Sequence, residues 1–403
     1  MKFIDGGVCA AKDFTANGIH CGIRKNKQKR DLSLIFSSTP AAAAAVYTTN
    51  LVKGAPLTVT KTNIENGTAQ AIICNSGNAN TCNANGIEIA TDMCKITAEQ
   101  LGINPDDVIV ASTGVIGQPL DITPIKNGIE SLCSGLTEGS ELAAEGIMTT
   151  DTVKKQVAVS FNISGVECKL GGIAKGSGMI HPNMATMLCT IVTDAAVSRE
   201  CLQKIASEVV SDTFNMISVD RDTSTNDSYF LLANGLAGNE TIVSENEDYT
   251  KLYEVVRYVA EDLAKKMAAD GEGATKLFEV TVKGAASRKA AKILARSVVS
   301  SNLVKAAIFG SDANWGRILC ALGYSGESFD PTRVEIYFSA GDKQIKIAEN
   351  GMAVNYSEEE ASEILSEKAI TITADLHSGD HSATAWGCDL TYDYVKINGD
   401  YRS

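Results

Sequence analysis

The sequence has few basic residues for its length, no long apolar run and no closely spaced pair of cysteines. Its 36 Lys and Arg are outnumbered by 49 Asp and Glu, which gives a formal net charge of -13 over 403 residues. Nucleic acids and anionic membranes are usually bound through clustered Lys and Arg. The one basic cluster, Arg24 to Arg30, is short and typical of a solvated loop. We therefore expect neither nucleic acid nor a membrane as a partner.

The missing apolar runs and cysteine pairs exclude further classes of protein. No apolar stretch approaches the roughly 18 residues that span a bilayer, and Met1 to Lys12 lacks the apolar core of a signal peptide. We therefore expect a cytoplasmic protein. The 11 cysteines contain no C-x-x-C pair, which favours reduced thiols over a disulfide framework or a zinc site. We expect no metal.

The segment from Lys175 to Ala195, KGSGMIHPNMATMLCTIVTDA, joins a glycine-broken loop to an apolar strand, with Thr186 at the junction. Gly176 and Gly178 permit backbone angles that other residues resist, and Pro182 fixes its own φ. The apolar run that follows is typical of a strand buried on both faces. A strained peptide before a hydroxyl residue would suit self-cleavage, although a turn entering a core strand has the same pattern.

A second strand also ends in residues that could carry chemistry. The apolar run DVIVAST, at 107–113, opens into Gly114. At such a turn a backbone N–H and the Thr113 hydroxyl can stabilise a developing oxyanion. An ordinary Ser-Thr-Gly turn would look the same. Two further runs, the hydroxyl-rich MTTDT at 148–152 and EGATK beginning at Glu272, could likewise either bind substrate or form ordinary loops.

The string KGSGMIHPNMATM resembles the self-processing site of the ornithine acetyltransferases, the glutamate N-acetyltransferases of cyclic arginine biosynthesis. The runs AQAIICNSGNAN, DGEGATK and DANWGR resemble other signatures of that family. The resemblance implies autocatalytic cleavage between Ala185 and Thr186. The products would be an alpha chain, 1–185, and a beta chain, 186–403, intertwined in one folded body. It also implies that the Thr186 hydroxyl is the nucleophile, that its α-amine is the base, and that Thr113 and Gly114 form the oxyanion hole.

The same resemblance implies the reaction. Thr186 would take the acetyl group of N2-acetyl-L-ornithine and pass it to L-glutamate without a cofactor. Whether acetyl-CoA also serves as donor, which would add N-acetylglutamate synthase activity, is left open. The residues that the resemblance implies for substrate binding are Thr152, Lys175, Thr186, Glu272, Asn398 and Ser403. Family members assemble from two or more αβ units, so we expect an oligomer such as a heterotetramer.

The alternation of strands and helices predicts an α+β fold. The resemblance implies a layered helix/sheet sandwich of the DmpA and ornithine-acetyltransferase type, with an additional smaller α/β lobe. In the alternation of the C-terminal part we expect VKAAIF and the terminal DLTYDYVKI to be strands. One departure from the family is Arg221, which stands where the family usually has Gly, so the local backbone there is in question.

Two other functions remain open. Self-cleaving amidases and aminopeptidases share the N-terminal-nucleophile chemistry but use water as the acceptor, so release of free acetate without glutamate would favour them. An uncleaved binding protein would keep the fold without the chemistry.

Overall fold

The computed structural model describes residues 1–181 and 187–400, which form two compact units. The first unit comprises the described residues of Met1–Gly176, Pro182–Asn215 and Thr223–Leu263. The second comprises those of Ser177–His181, Met216–Asp222 and Ala264–Ser403. Each unit combines helices with a mixed β-sheet, so the α+β class is confirmed.

The first unit is built on a nine-stranded sheet. Its strands are β1 (Lys2–Phe3), β2 (Phe14–Ile19), β3 (Leu32–Tyr47), β4 (Thr68–Asn78), β5 (Val108–Val115), β6 (Lys155–Ile163), β7 (Val166–Lys175), β8 (Leu188–Thr193) and, after β9 of the other unit, β10 (Ser228–Ala233). They lie in the order β1-β6-β7-β8-β10-β3-β4-β5, and β2 pairs with β3. The pairs β8–β10 and β4–β5 are parallel and the others are antiparallel.

Helices cover both faces of this sheet. They are α1 (Ala55–Asn63), α2 (Gly86–Leu101), α3 (Thr123–Ser134), α4 (Ser140–Ile147), α5 (Arg199–Asp212) and α6 (Glu247–Ala269), of which α6 continues beyond Leu263 into the second unit. Apolar residues of α1 to α3 pack with alternate residues of β3, β4 and β5 in one core cluster. Residues of α4 pack with the other alternate residues of these strands in a second cluster. The period of two along the strands thus gives two cores, one on each face.

The second unit contains a seven-stranded sheet with the order β14-β13-β12-β15-β11-β16-β9. Its strands are β9 (Ile217–Ser218), β11 (Leu277–Ala285), β12 (Glu335–Ala340), β13 (Lys343–Glu349), β14 (Met352–Ala353), β15 (Ala369–Asp375) and β16 (His381–Cys388). Its further helices are α7 (Arg288–Val299), α8 (Asn302–Phe309), α9 (Trp315–Gly323), α10 (Glu358–Ser366) and α11 (Tyr392–Gly399). In β11, Phe278, Val280 and Val282 are buried while the residues between them are partly exposed, and α7 packs on β11 and β16.

Most predicted elements are present, but two predicted strands are wrong. VKAAIF lies in helix α8, which begins where the Ser301 side chain accepts a hydrogen bond from the backbone N–H of Val304. The terminal DLTYDYVKI is not a strand, because residues 392–399 form helix α11. Thr391 caps this helix by accepting from the N–H of Tyr394. In each case the side-chain cap satisfies a backbone N–H of the first turn and favours the helix.

None of the helices formed by residues 1–181 and 187–400 combines the length and apolarity needed to cross a bilayer.

Candidate active site

The first part of the candidate site lies at the end of β5, where the strand reaches Thr113 and Gly114. Gly114 pairs with Gly77 of β4 and has a φ of 133°. A Cβ atom at Gly114 would lie 2.6 Å from the backbone nitrogen of Asn78. Glycine is therefore required here both by the positive φ and by the close approach of the neighbouring strand. Thr113 is buried, with 8% of its surface exposed.

Lys175, at the end of β7, brings a charge to Thr113. Its ammonium Nζ donates a hydrogen bond to Thr113 Oγ1 over 3.2 Å, and its side chain is buried. The other two N–H groups of this ammonium have no hydrogen-bond partner within residues 1–181 and 187–400. Because the Thr113 oxygen accepts from Lys175, the Thr113 hydroxyl proton can be donated elsewhere. The pair thus presents several donors at one strand end.

A buried ion pair lies next to Lys175. Asp151 Oδ1 accepts hydrogen bonds from Lys155 Nζ and from the backbone N–H of Gly176, each over 2.7 Å. Its Oδ2 accepts from the N–H of Thr149 over 2.9 Å. The side chains of Asp151 and Lys155 have no exposed surface. Asp151 thus joins the MTTDT turn, β6 and the end of β7.

The charges of this group shift one another's pKa values. Burial alone would raise the pKa of Asp151, but the ammonium groups of Lys155 and Lys175 outweigh it and lower the pKa to about 2. Burial lowers the pKa of Lys175, and the carboxylates of Asp151 and Asp227 oppose this fall. Asp151 is therefore ionised at neutral pH and is already paired with Lys155.

Sequence reasoning missed Asn226, which holds the end of β5 in place. Its side-chain Nδ2 donates to the backbone carbonyls of Ala79 and Ser112, over 2.6 and 2.9 Å. Its Oδ1 accepts from the hydroxyls of Thr81 and Thr225, both over 2.6 Å. All four hydrogen-bonding positions of this buried amide are used. Asn226 belongs to the polar stretch SVDRDTSTNDS, where no local pattern indicates a contact 114 residues away.

The second unit contains another cluster of predicted residues. Asn398, on α11, donates through Nδ2 to Glu272 Oε2 over 2.7 Å, and the N–H of Glu272 donates to the carbonyl of Ser177 over 3.0 Å. A Cβ atom at Gly178 would overlap the Glu272 carboxylate. Gly178 is therefore needed because any side chain there would collide with the Glu272 carboxylate. This role could not be predicted from the sequence.

The segment that leads to the predicted cleavage point is also held within the second unit. Asp220 accepts from the N–H groups of Met179 and Ile180, over 2.6 and 2.8 Å. His181 contacts Ser218 through Nδ1 and Arg296 through Nε2, over 3.0 and 3.2 Å. Burial and the nearby Arg296 lower the pKa of His181 to about 4. The imidazole is therefore neutral at neutral pH.

Arg221 follows Asp220 and has a φ of 71°. This left-handed conformation favours glycine, the residue that the resemblance implies at this position. The backbone therefore keeps a glycine-type turn even though the residue has a side chain.

The predicted site residues are only partly brought together within the units. Thr113, Gly114 and Lys175 are neighbours in the first unit, and Glu272 and Asn398 are in contact in the second. Thr152 is exposed in the turn between α4 and β6. Three predicted residues, Ala185, Thr186 and Ser403, lie outside the described residues.

A single protein family matches nearly the whole sequence. The model of the ArgJ family matches residues 15–403. The chain is 52% identical to the arginine biosynthesis bifunctional protein ArgJ of Symbiobacterium thermophilum over 406 residues, covering 100% of both chains. It is 52% identical to ArgJ 1 of Clostridium acetobutylicum over 392 residues, covering 97% of this chain and 96% of the relative.

Two solved structures with related sequences each match about half of the chain. An ArgJ structure from Bacillus halodurans has 46% identity and a TM-score of 0.49, and the match covers 52% of this chain and 96% of that one. The ornithine acetyltransferase of Mycobacterium tuberculosis, solved in complex with ornithine, has 34% identity and a TM-score of 0.43, and the match covers 46% of this chain and 99% of that one.

Proposed function

The chain belongs to the ArgJ family, and from this membership we propose that it is an acetyltransferase of arginine biosynthesis. It moves the acetyl group of N2-acetyl-L-ornithine to L-glutamate and gives L-ornithine and N-acetyl-L-glutamate. The observation that carries the proposal is the Lys175–Thr113 hydrogen bond beside Gly114. This arrangement supplies hydrogen-bond donors of the kind that stabilise the oxyanion of an acyl transfer.

The nucleophile is proposed to arise by self-cleavage. The Thr186 hydroxyl attacks the carbonyl carbon of Ala185, the C–N bond breaks, and the resulting ester is hydrolysed by water. Two chains, 1–185 and 186–403, result, and Thr186 gains a free α-amine. The ordinary pKa of such an amine, about 7.7 to 8.0, suits a general base near neutral pH. The division into units supports two intertwined chains, because Ser177–His181 is grouped with the second unit and Thr223–Leu263 with the first.

Acetyl transfer then takes two steps. The Thr186 oxygen attacks the acetyl carbonyl of acetylornithine, ornithine leaves with a proton, and an acetyl ester remains. The amine of glutamate attacks this ester and regenerates the hydroxyl. In both steps the Thr113 hydroxyl and the Gly114 N–H are proposed to stabilise the oxyanion. The hydrogen bond from Lys175 makes the Thr113 hydroxyl a stronger donor.

Charged groups are proposed to recognise the amino-acid substrates. Two N–H groups of the buried Lys175 ammonium lack a partner among the described residues, which supports binding of a substrate carboxylate. The Glu272 carboxylate, oriented by Asn398, is proposed to bind the side-chain ammonium of ornithine. Thr152 and Ser403 are proposed as further substrate contacts.

No cofactor is proposed, and acetyl-CoA is proposed as an additional acetyl donor. We place the enzyme in the cytoplasm as an oligomer of αβ units.

The test is an assay of the purified protein with acetylornithine and glutamate. Ornithine and N-acetylglutamate are expected in equal amounts, and intact-mass spectrometry is expected to give two fragments that meet at Ala185 and Thr186. Omitting glutamate should stop ornithine release after one turnover. Continuous release of acetate without glutamate would instead identify a hydrolase, and a full-length mass would refute the self-cleavage. A parallel reaction with acetyl-CoA tests the second donor.

A further inference from the structure

Strand β5, which carries Thr113 and Gly114, lies at the edge of the first sheet. In the described part of the chain it pairs with β4 alone. The outer edge of such a strand presents backbone N–H and C=O groups that have no neighbouring strand to bond. The side chains that bond these groups therefore determine how firmly the end of β5 is held.

Helix α1 supplies two of these bonds. Asn63 Nδ2 donates to the carbonyl of Val108 over 2.8 Å. Thr60 Oγ1 donates to the carbonyl of Val110 over 2.7 Å and accepts from the N–H of the same residue over 2.9 Å. Because alternate residues of a strand have the same orientation, the two bonded carbonyls belong to the same edge. Both side chains precede the proposed cut, as β5 does.

The next carbonyl in this series is bonded from much farther along the chain. It belongs to Ser112, directly before Thr113, and it accepts from Asn226 Nδ2 over 2.9 Å. Asn226 follows the proposed cut, whereas β5 precedes it, so this bond would join the two fragments. The edge bond next to the proposed oxyanion hole therefore depends on a side chain of the second fragment.

The Asn226 amide also holds the backbone on the far side of Thr113 and Gly114. Its Nδ2 donates to the carbonyl of Ala79 over 2.6 Å. The N–H of Ala79 in turn donates to the carbonyl of Val115 over 2.9 Å. One amide is thus bonded to β5 directly before the two proposed oxyanion residues and indirectly after them.

The orientation of this amide is fixed by its own contacts. Asn226 is 4% exposed, and its Oδ1 accepts from the hydroxyls of Thr81 and Thr225, both over 2.6 Å. Gly54 has an ordinary φ of -64°, yet a Cβ atom there would lie 2.5 Å from Asn226 Nδ2. Glycine is therefore required at position 54 by the close approach of the amide. A side chain held in this way can set the position of the backbone that it bonds.

We propose that Asn226 is a positioning residue for acetyl transfer, which fixes the end of β5 so that Thr113 and Gly114 can donate to the developing oxyanion. This inference rests on the proposed function. Asn226 acts on the reaction through the backbone of β5. Displaced oxyanion donors weaken the stabilisation of the transition state more than the binding of substrate. Loss of the amide should therefore lower kcat and leave KM nearly unchanged.

The test compares the same substitution at two positions along one strand edge, Asn226→Asp and Asn63→Asp, in the full-length protein. Each variant replaces an amide that donates to a β5 carbonyl with a carboxylate that cannot donate. Losing an oxyanion donor typically costs about 100-fold in kcat, so displacement of the donors in N226D is expected to lower kcat about 10- to 100-fold. The KM values for acetylornithine and glutamate are expected to change less than about threefold.

The control N63D separates positioning from stability. Urea unfolding is expected to show a loss of stability in both variants, because each leaves a backbone carbonyl without its donor. The kcat of N63D, expressed per mole of cleaved protein, is expected to stay within about threefold of the wild type. Wild-type kcat in N226D, or an equal loss of kcat in both variants, would overturn the inference while leaving the proposed function intact. A wild-type protein that transfers no acetyl group would refute the proposed function and the inference with it.

A milder pair of variants covers the case in which N226D does not fold or is not cleaved. Thr81→Val removes one of the two hydroxyls that orient the Asn226 amide, and Thr81→Ser keeps it. Loss of this one hydrogen bond is expected to lower the kcat of T81V about 3- to 10-fold, with KM nearly unchanged. T81S is expected to recover most of the wild-type kcat. Equal kcat values in T81V and T81S would overturn the inference.

Discussion

Replacing Asp151 with Asn should destabilise the first unit strongly at neutral pH and progressively less in acid. The variant leaves the buried Lys155 ammonium without its charged partner, and such a loss typically costs about 3–5 kcal/mol. The pKa of Asp151 gives an independent magnitude. It falls from 3.8 to about 2 in the folded protein, and at about 1.4 kcal/mol per pH unit this corresponds to about 2.5 kcal/mol of stability.

The sign of the pH dependence follows from the direction of this pKa change. A carboxylate whose folded pKa is lowered contributes stability that is fully present above its unfolded pKa and is lost as pH falls through its folded pKa. For Asp151 this window runs from about 4 to about 2. The amide that replaces the carboxylate in D151N cannot ionise. The difference between wild type and D151N should therefore be constant from pH 7 to 5 and shrink towards pH 2.

The assay is urea unfolding followed by far-UV circular dichroism at pH 7, 5, 4, 3 and 2.5. Asp194→Asn is the control, because burial raises the pKa of Asp194 and its stability contribution is therefore lost as pH rises. The difference between wild type and D194N should not shrink in acid. A D151N difference below about 1 kcal/mol at pH 7, or one that stays constant down to pH 2.5, would refute the electrostatic account of this pair.

Three further predictions concern the chemistry. Gly114→Ala should lower kcat at least about 100-fold, because the added Cβ meets the backbone of Asn78 and displaces the N–H proposed for the oxyanion hole. The control Gly117→Ala, which has open space around the added Cβ, should lower kcat less than about tenfold. Equal losses of kcat in steady-state assays would argue against an oxyanion role for Gly114. Thr186→Ala should give a single full-length mass and no acetyl transfer, and two fragments in that variant would rule out Thr186 as the cleaving group. Glu272→Gln should raise the KM for acetylornithine about 10-fold or more, as expected for the loss of a charge-assisted contact, and change the KM for glutamate little; initial rates that show equal rises would place its role elsewhere.

The sequence predicted those parts of the site that depend on local pattern. The apolar strand ending in Thr113–Gly114 can be predicted from the sequence because the strand and its turn are adjacent in the chain. The observed φ of 133° at Gly114 agrees with a glycine turn. The resemblance supplied Lys175 and Glu272. The contact between Lys175 and Thr113 could not be predicted from the sequence. It joins residues 62 positions apart, on strands β7 and β5, which are not neighbours in the sheet.

The buried polar residues were the least predictable. Asp151 and Lys155 are four residues apart, yet only the packing of β6 shows that both lack exposed surface. Asn226 and Asp227 lie in a hydrophilic stretch that is typical of an exposed loop, and tertiary contacts bury them. The wrong strand at the C-terminus has a local cause: the alternating Tyr and Val residues mimic a strand, and the Thr391 cap, which commits the chain to a helix, is a single residue.

The strand order of the first sheet has a consequence for the proposed two-chain enzyme. Strands β8 and β10 come after the proposed cut, and they lie between β7 and β3, which come before it. The first fragment alone would therefore carry two separate groups of strands, each with an unpaired edge, and the second fragment would carry a two-stranded ribbon with two more. Exposed edges of this kind invite aggregation. The sheet is thus a reason for the break to be made after folding, within a protein whose strands are already paired, rather than by joining two chains synthesised apart.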